Sequence, residues 1–126
     1  MATADLDSLA SEQFAYLTTR GRRSGFQREI EIWFGLDGRT LYMLSGGRDR
    51  SDWVRNILAD PNVAVRIGDS EFAGKGRAVE ADTAEDALAR RLLLAKYSSS
   101  YSGDLSDWGR TALPVAIGLQ VAASVD

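Results

Sequence analysis

Six short segments of this 126-residue chain have the composition of β-strands, and glycine-containing turns or short helical patterns separate them. Residues 29–36 (EIEIWFGL) begin with alternating polar and apolar residues, as a half-buried strand does. The following Asp37-Gly38 is a strong hairpin signal. Gly74 and Gly76 lie inside the longest segment and predict a bulge or a bend. The six predicted strands are residues 14–19, 29–36, 39–45, 63–67, 71–81 and 113–121.

Helical patterns lie between these strands. Ser51 is a suitable N-cap for a helix over residues 52–59, and Thr83 is one for a helix that reaches about Tyr97. A short helix is also predicted over residues 5–12. Hairpin-linked strands with interspersed helices predict a mainly β (α+β) fold, a small antiparallel barrel with helices at its ends.

Length and charge limit the classes of protein that are possible. A chain of 126 residues predicts a single domain over residues 1–126, and its 44% hydrophobic content is sufficient for a core. The net charge of −3 argues against a nucleic-acid binder. No apolar run approaches the ~18 residues of a membrane helix, so no membrane insertion is expected. Residues 1–12 lack a signal-peptide pattern, which predicts a cytoplasmic protein.

Missing residue types exclude several kinds of chemistry. The chain has no Cys and no His, which removes thiol nucleophiles, the commonest general base and the usual zinc and haem ligands. Only Lys75 and Lys96 remain as amines for a Schiff base. No metal site is predicted. If the protein is an enzyme, its reactive centre is expected to come with a cofactor.

A first candidate site is the glycine-rich stretch of residues 20–28 (RGRRSGFQR), which carries four arginines and no acid. Such a turn exposes backbone N–H groups that can converge on an anion, and arginine adds planar donors for phosphate or carboxylate. The alternative is a solvated hairpin loop whose arginines pair with surface acids. Four uncompensated cations at one turn favour anion binding.

Two further features point to the same kind of ligand. Ser45-Gly46-Gly47 ends a strand shortly before the 52–59 helix, where glycines permit close approach and the helix N-terminus attracts anions. The alternative is a plain strand-to-helix turn. Trp53 and Asn56, three residues apart, are neighbours on the helix surface. Residues 20–28 and residues 45–47, here called the two glycine corners, flank one predicted hairpin. Both are therefore expected to face a single ligand.

Aromatic residues and paired carboxylates form the remaining candidates. Tyr97, Tyr101 and Trp108 surround a polar loop, and a tyrosine hydroxyl can donate a proton. The alternative is that these rings pack for stability. Glu29 and Glu31 form a carboxylate pair, but their spacing is more typical of the solvent side of a strand.

The combined pattern resembles the deazaflavin (F420)-dependent nitroreductase and quinone reductase family, within the split β-barrel group of FMN-binding, pyridoxamine-phosphate-oxidase-like proteins. The resemblance covers nearly the whole chain. It departs at the second corner, where many relatives have a Lys between the Ser and the glycines and this chain offers only Arg48 or Arg50 nearby. The matching stretches are residues 17–25 (LTTRGRRSG) with Arg28, 44–47 (LSGG), 52–56 (DWVRN), 59–63 (ADPNV) and 113–115 (LPV).

The resemblance implies a homodimeric split β-barrel of six or so strands that binds coenzyme F420. It also implies hydride transfer from reduced F420 to an apolar acceptor, such as a quinone, a nitro compound or an activated enone. Tyr97 and Tyr101 would be the catalytic residues on the acceptor side. The implied cofactor-binding residues are Arg22, Arg23, Ser24, Gly25, Arg28, Leu44, Ser45, Gly46, Gly47, Asp52, Trp53 and Asn56.

Three other functions stay open. An FMN-dependent oxidoreductase of the same fold would bind one phosphate and no acidic tail. A non-catalytic carrier or sensor of F420 or flavin would bind the cofactor without turnover. A nucleic-acid binder would use the basic loop, but the acidic net charge disfavours it.

Overall fold

Seven antiparallel strands form one sheet in the computed structural model, which describes residues 6–120. The predicted limits at residues 1 and 126, the first residue of the predicted 5–12 helix and the last residue of the predicted 113–121 strand lie outside the described residues. The strands are β1 (Ala15–Arg20), β2 (Gln27–Ile32), β3 (Gly35–Asp37), β4 (Thr40–Ser45), β5 (Asn62–Ile67), β6 (Ser70–Ala78) and β7 (Leu113–Gln120). The helices are α1 (Leu6–Leu9), α2 (Asp52–Ala59), α3 (Ala84–Tyr97) and α4 (Ser106–Thr111), with a 3-10 turn at Arg48–Arg50.

The strand order is β2-β1-β5-β6-β7-β4-β3, and the sheet curls into a half-barrel with flanking helices. The prediction of a mainly β split barrel is confirmed, with seven strands in place of six. None of the helices within residues 6–120 is long and apolar enough to cross a membrane.

The additional strand arises because the predicted 29–36 strand is two strands. β2 pairs with β1, whereas β3 pairs with β4, so the two lie at opposite edges of the sheet. Trp33 and Phe34 form the crossing between them. Side chains bind the backbone there: the Tyr97 hydroxyl accepts from the Phe34 N–H at 3.0 Å, and Lys96 donates to the Phe34 carbonyl at 3.1 Å. These bonds satisfy buried backbone groups that a continuous strand would pair in the ladder.

Strand β4 separates two parts of the core. Leu41 and Met43 belong to the cluster that fills the half-barrel, and Tyr42 and Leu44 belong to the cluster beneath α3. Since successive side chains of a strand point to opposite faces, this alternation places β4 between the barrel interior and α3.

Thr83 caps the start of α3, and Glu85 attaches it to the sheet. Thr83 caps the helix as predicted, since its Oγ1 accepts from the Asp86 N–H at 3.1 Å. The Glu85 carboxylate accepts two bonds from Arg77 at 2.6 and 2.7 Å and one from the Tyr42 hydroxyl at 2.7 Å. The hydrogen bonds from Arg77 and then Tyr42 lower the pKa of Glu85 to about 2.

Helix α2 packs directly on Gly76 of β6. Val54 and Ile57 of α2 enter the barrel cluster, and a Cβ on Gly76 would lie 2.8 Å from the Ile57 Cγ2 and from the Ile117 Cδ1. Of the bulge or bend predicted at Gly74 and Gly76, the bulge is wrong, because the β6–β7 register continues through both without an extra residue. The glycines instead allow the helix and β7 to approach β6 closely.

We expect Gly76→Ala to lower the free energy of unfolding by about 1–3 kcal/mol, because the new methyl group overpacks against two β-branched side chains. Gly118→Ala is the matched control, since a Cβ there meets only the Lys75 carbonyl oxygen, at 3.9 Å. Urea unfolding of both variants measures the difference. Equal free energies for Gly76→Ala and wild type would mean that α2 is not held by this close contact.

Candidate functional site

A groove of about 800 Å³, here called the arginine groove, runs between the loop after β1 and the start of α2. Seven of the residues implied to bind cofactor line it: Arg22, Arg23, Ser24, Arg28, Asp52, Trp53 and Asn56. The other lining residues are Thr19, Gly21, Gln27, Glu29 and Ile30.

The loop that forms one wall is closed by its own backbone. The Gly21 N–H donates to the Phe26 carbonyl and the Gly25 N–H donates to the Gly21 carbonyl, both at 2.8 Å. Gly25 has φ +76°, a left-handed conformation that favours glycine, although it does not itself line the groove. The Ser24 hydroxyl accepts from the Phe26 N–H at 3.1 Å, so this side chain is engaged in the turn.

Asn56 links this loop to α2 and β1. Its Oδ1 accepts from the Arg22 N–H at 3.2 Å and from Arg22 Nη1 at 3.0 Å, and its Nδ2 donates to Thr19 Oγ1 at 3.1 Å. Asn56 is only 4% exposed, and a buried amide that makes three hydrogen bonds orients its partners firmly. Arg22 also pairs with Asp52 at 3.2 Å. Its charge is therefore largely used within the protein.

Arg23 and Arg28 are different, because within residues 6–120 neither side chain forms an ion pair or a hydrogen bond. Both are exposed and line the arginine groove. The backbone N–H groups of Arg23 and Ser24 likewise have no partner in the part of the chain that the structure describes. Of the two acids in the groove, Asp52 holds Arg22, and Glu29 lies 3.9 Å from Arg66. The groove thus presents two free guanidinium groups and free N–H donors.

The second glycine corner does not join this groove. Ser45 is buried, and its hydroxyl donates to the Arg48 carbonyl at 2.8 Å and lies 2.8 Å from Ser51 Oγ. A Cβ on Gly46 would lie 3.6 Å from Trp108, and one on Gly47 would lie 2.6 Å from Ser51 Oγ. Ser45, Gly46 and Gly47 therefore do not line the arginine groove, and their contact with the same ligand stays a prediction.

The neighbouring residues are also engaged within the protein. Ser51 is the N-cap residue of α2, as predicted, but its side chain makes no cap hydrogen bond, because its hydroxyl is engaged with Ser45. Arg48 donates to the Thr111 carbonyl, so it is held at the end of α4, and it does not line the arginine groove. Arg50 does not line the groove either.

A second groove, of about 510 Å³, lies further along β2 and is here called the aromatic groove. It contains Leu44 and Tyr101 from the implied site, together with residues that were not assigned to it. Its lining is Phe14, Glu31, Ile32, Trp33, Leu44, Tyr101, Asp104, Leu105 and Trp108.

The wall of the aromatic groove is built around Trp33. Tyr97 stacks on Trp33 with ring centroids 4.3 Å apart and an interplanar angle of 4°. Tyr101 and Trp108 meet Trp33 edge-on at 5.7 and 5.6 Å. Such stacked and edge-to-face pairs fix the rings relative to one another.

Tyr97 does not fit the expected catalytic role. It is fully buried, its hydroxyl accepts from the Phe34 N–H, and it donates toward the carbonyl oxygens of Gln13 and Phe34 at 2.9 and 3.1 Å. Burial raises its pKa to about 12. Tyr97 supports Trp33 from behind, whereas Tyr101 is 47% exposed and lines the groove.

The structure therefore divides the implied site between two grooves that share β2. Residues 27–30 of this strand line the arginine groove, and Glu31 and Ile32 line the aromatic groove. Sequence reasoning missed Thr19 and Trp33. The signal for Trp33 was present, because Trp33-Phe34 interrupts the polar–apolar alternation of residues 29–32.

Comparison with known proteins identifies the family. Residues 6–120 match the family described as F420H(2)-dependent quinone reductase. No curated protein sequence matches the chain.

Three solved structures share the fold. The F420-H2 dependent reductase FDR-A is 22% identical, with 86% of this chain and 94% of that chain covered and a TM-score of 0.66. A protein from Listeria innocua named for pyridoxamine 5′-phosphate oxidase is 22% identical, with 93% and 92% covered and a TM-score of 0.68. A structure described as a domain-swapped dimer is 22% identical, with 86% and 80% covered and a TM-score of 0.67.

At 22% identity the likeness to these three structures shows the fold alone. The cofactor and the class of reaction follow from the family match. The chain belongs to the F420H2-dependent quinone reductase family and is an oxidoreductase whose cofactor is coenzyme F420.

Proposed function

We propose that this enzyme reduces an apolar acceptor (a quinone, a nitro compound or an activated enone) and that its arginine groove holds the anionic part of F420. The observation that carries the proposal is the pair of unpartnered arginines, Arg23 and Arg28, beside the free backbone N–H groups of the same loop. Two-pronged guanidinium donors suit phosphate and carboxylate oxygens.

The donor set of the arginine groove fits an anionic cofactor. Because Asp52 pairs with Arg22 and Glu29 lies near Arg66, Arg23 and Arg28 are left to face a ligand. The start of α2, which no side chain caps, borders the same groove and adds the positive end of a helix dipole. A phosphate with an acidic tail would use both arginines, whereas the single phosphate of FMN would need fewer donors.

The chain's own residues bind and orient the reactants. When bound, reduced F420 supplies the hydride. Arg23 and Arg28 would hold the anionic part, and Asn56 would keep the loop in shape through Arg22. The rings around Trp33 would give the acceptor an apolar wall and exclude water.

Tyr101 is the proposed source of the proton that the reduced acceptor takes up. It contributes the phenolic hydroxyl among the residues that line the aromatic groove, and it is exposed enough to exchange protons with solvent. Tyr97 is not carried forward in this role, because its hydroxyl is occupied by backbone groups.

A homodimer and a cytoplasmic location stay predictions. For the dimer, supporting observations are the exposed edge strand β2, the 71% exposure of Phe26 at its start, and the 57% exposure of Leu58.

A cofactor titration tests the proposed function. We expect the purified protein to bind F420 more tightly than FMN, and to reoxidise reduced F420 when a neutral quinone such as menadione is added, as followed by cofactor absorbance. A clear preference for FMN would overturn the assignment of the groove. Tight F420 binding without turnover over a panel of quinones, nitroaromatics and enones would instead indicate a carrier.

We expect Arg23→Ala with Arg28→Ala to weaken F420 binding by about 1.5–3 kcal/mol for each charged hydrogen bond lost. The matched control is Arg39→Ala with Arg91→Ala, two exposed arginines that line neither groove. Isothermal titration with F420 measures both. An equal loss in the two double variants would mean that overall charge, and not the groove, governs the affinity.

We expect Asn56→Ala to weaken F420 binding about tenfold, or roughly 1.4 kcal/mol, because the loop loses its attachment to α2 and β1. Asn56→Asp should keep the loop attached, since a carboxylate can accept both Arg22 bonds and the Thr19 hydroxyl can donate to it, but its negative charge in the groove should keep F420 affinity below that of the wild type. Trypsin cleavage after Arg23 in the ligand-free protein should accelerate in the alanine variant alone. Unchanged cleavage with weakened binding would indicate that Asn56 contacts the cofactor directly.

A further inference from the structure

We propose that the aromatic groove, which takes the acceptor under the proposed function, selects uncharged or cationic planar acceptors against anionic ones. This inference rests on the proposed function and specifies its substrate class. Three features support it: the shape of the groove, the charges of its lining residues, and the change in charge along β2, which lines both grooves.

The shape suits a planar ring. Trp33 is fixed from behind by Tyr97, and Tyr101 and Trp108 stand edge-on to it, so the groove offers flat and edge aromatic surface at fixed angles. Aromatic surface of this kind favours flat aromatic partners, which stack on it or meet it edge-on. The aromatic wall therefore sets the shape of the ligand but not its charge.

The charge of the ligand is set by Glu31 and Asp104. Both are exposed acids in the lining, and the nine lining residues include no lysine or arginine. Hydrogen bonds from Ser106 lower the pKa of Asp104, so it stays ionised near neutral pH. Glu31 accepts from the Tyr16 hydroxyl at 2.8 Å and forms no ion pair within the described residues, whereas Arg66, which lies over the Tyr16 ring, pairs with Glu29 at 3.9 Å.

The neighbouring groove has the opposite character. The change occurs along β2, where Arg28 lines the arginine groove and Glu31 lines the aromatic groove. An anionic acceptor would be repelled at Glu31 and Asp104 and attracted to Arg23 and Arg28, where it would compete with the cofactor. A neutral or cationic acceptor meets no such conflict.

Fluorescence of a single variant isolates the aromatic groove. The chain has three tryptophans, and Trp53→Phe leaves only Trp33 and Trp108, both of which line this groove. Quenching in that full-length variant, without cofactor, then reports ligands that enter it. The probes are three anthraquinones that differ only at one ring position, where they carry a hydroxymethyl group, a trimethylammoniomethyl group or a sulfonate.

We expect the neutral and cationic anthraquinones to bind about fivefold or more tightly than the sulfonate at low salt, with the gap narrowing as ionic strength rises. Glu31→Gln with Asp104→Asn should bring the three affinities within about twofold. Asp69→Asn with Glu71→Gln makes the same change in net charge at exposed positions that line neither groove, and it should leave the preference unchanged.

Equal affinities of the three probes in the Trp53→Phe protein, or no quenching by the neutral probe, would overturn the inference. An equal effect of the two double variants would also overturn it, since net charge alone would then explain the preference. The test needs no F420, so its outcome is separate from that of the cofactor titration. If F420 fails to bind while the charge preference holds, the proposed function fails and the ligand preference of the groove stands.

Discussion

The close packing of α2 on Gly76 determines where the rest of the site can lie. Because no side chain separates them, Ile57 reaches the β6 backbone and α2 sits deep against the open side of the half-barrel. That depth brings Asn56 within hydrogen-bond distance of Thr19 on β1 and of Arg22 in the following loop. The position of the arginines therefore depends on the contact of α2 with Gly76 inside the core, and not on the composition of the loop.

A second constraint is the crossing at Trp33 and Phe34. The hairpin at residues 37–38 commits β3 to pair with β4, while β2 is committed to β1, so the chain must pass from one edge of the sheet to the other within two residues. Tyr97 and Lys96 satisfy the buried backbone groups of Phe34, and the Lys96 ammonium lies 3.6 Å from the Phe34 ring centroid. Burial lowers the pKa of Lys96 to about 8. The same crossing presents Trp33 to the aromatic groove.

The sequence predicts the features that local chemistry determines. The hairpin at residues 37–38, helix α2, the Thr83 cap and the cationic loop all follow from residue types at fixed offsets. The division of residues 29–36 into β2 and β3 does not follow from residue types, because the alternation of polar and apolar residues indicates exposure and not which edge of the sheet a strand joins. The prediction of a catalytic role for Tyr97 is wrong for a related reason. The sequence indicates that Tyr97 lies at a helix end, whereas the direction of its side chain into the core depends on tertiary packing. The second glycine corner was likewise assigned from composition, and its contact with Trp108 is long-range.

The change from a positive to a negative charge along β2 separates the proposed site of the anionic cofactor from the proposed site of the acceptor. Arg28 and Glu31 are three residues apart, which in a strand corresponds to roughly 10 Å. That separation is close to the Debye length in physiological salt, about 8 Å, so exposed charges in one groove act only weakly on ligands in the other. One strand can therefore hold an anion at one end and repel anions at the other without the two fields cancelling. In a hydride-transfer enzyme this arrangement would hold the anionic part of the cofactor and the acceptor in separate grooves along one strand.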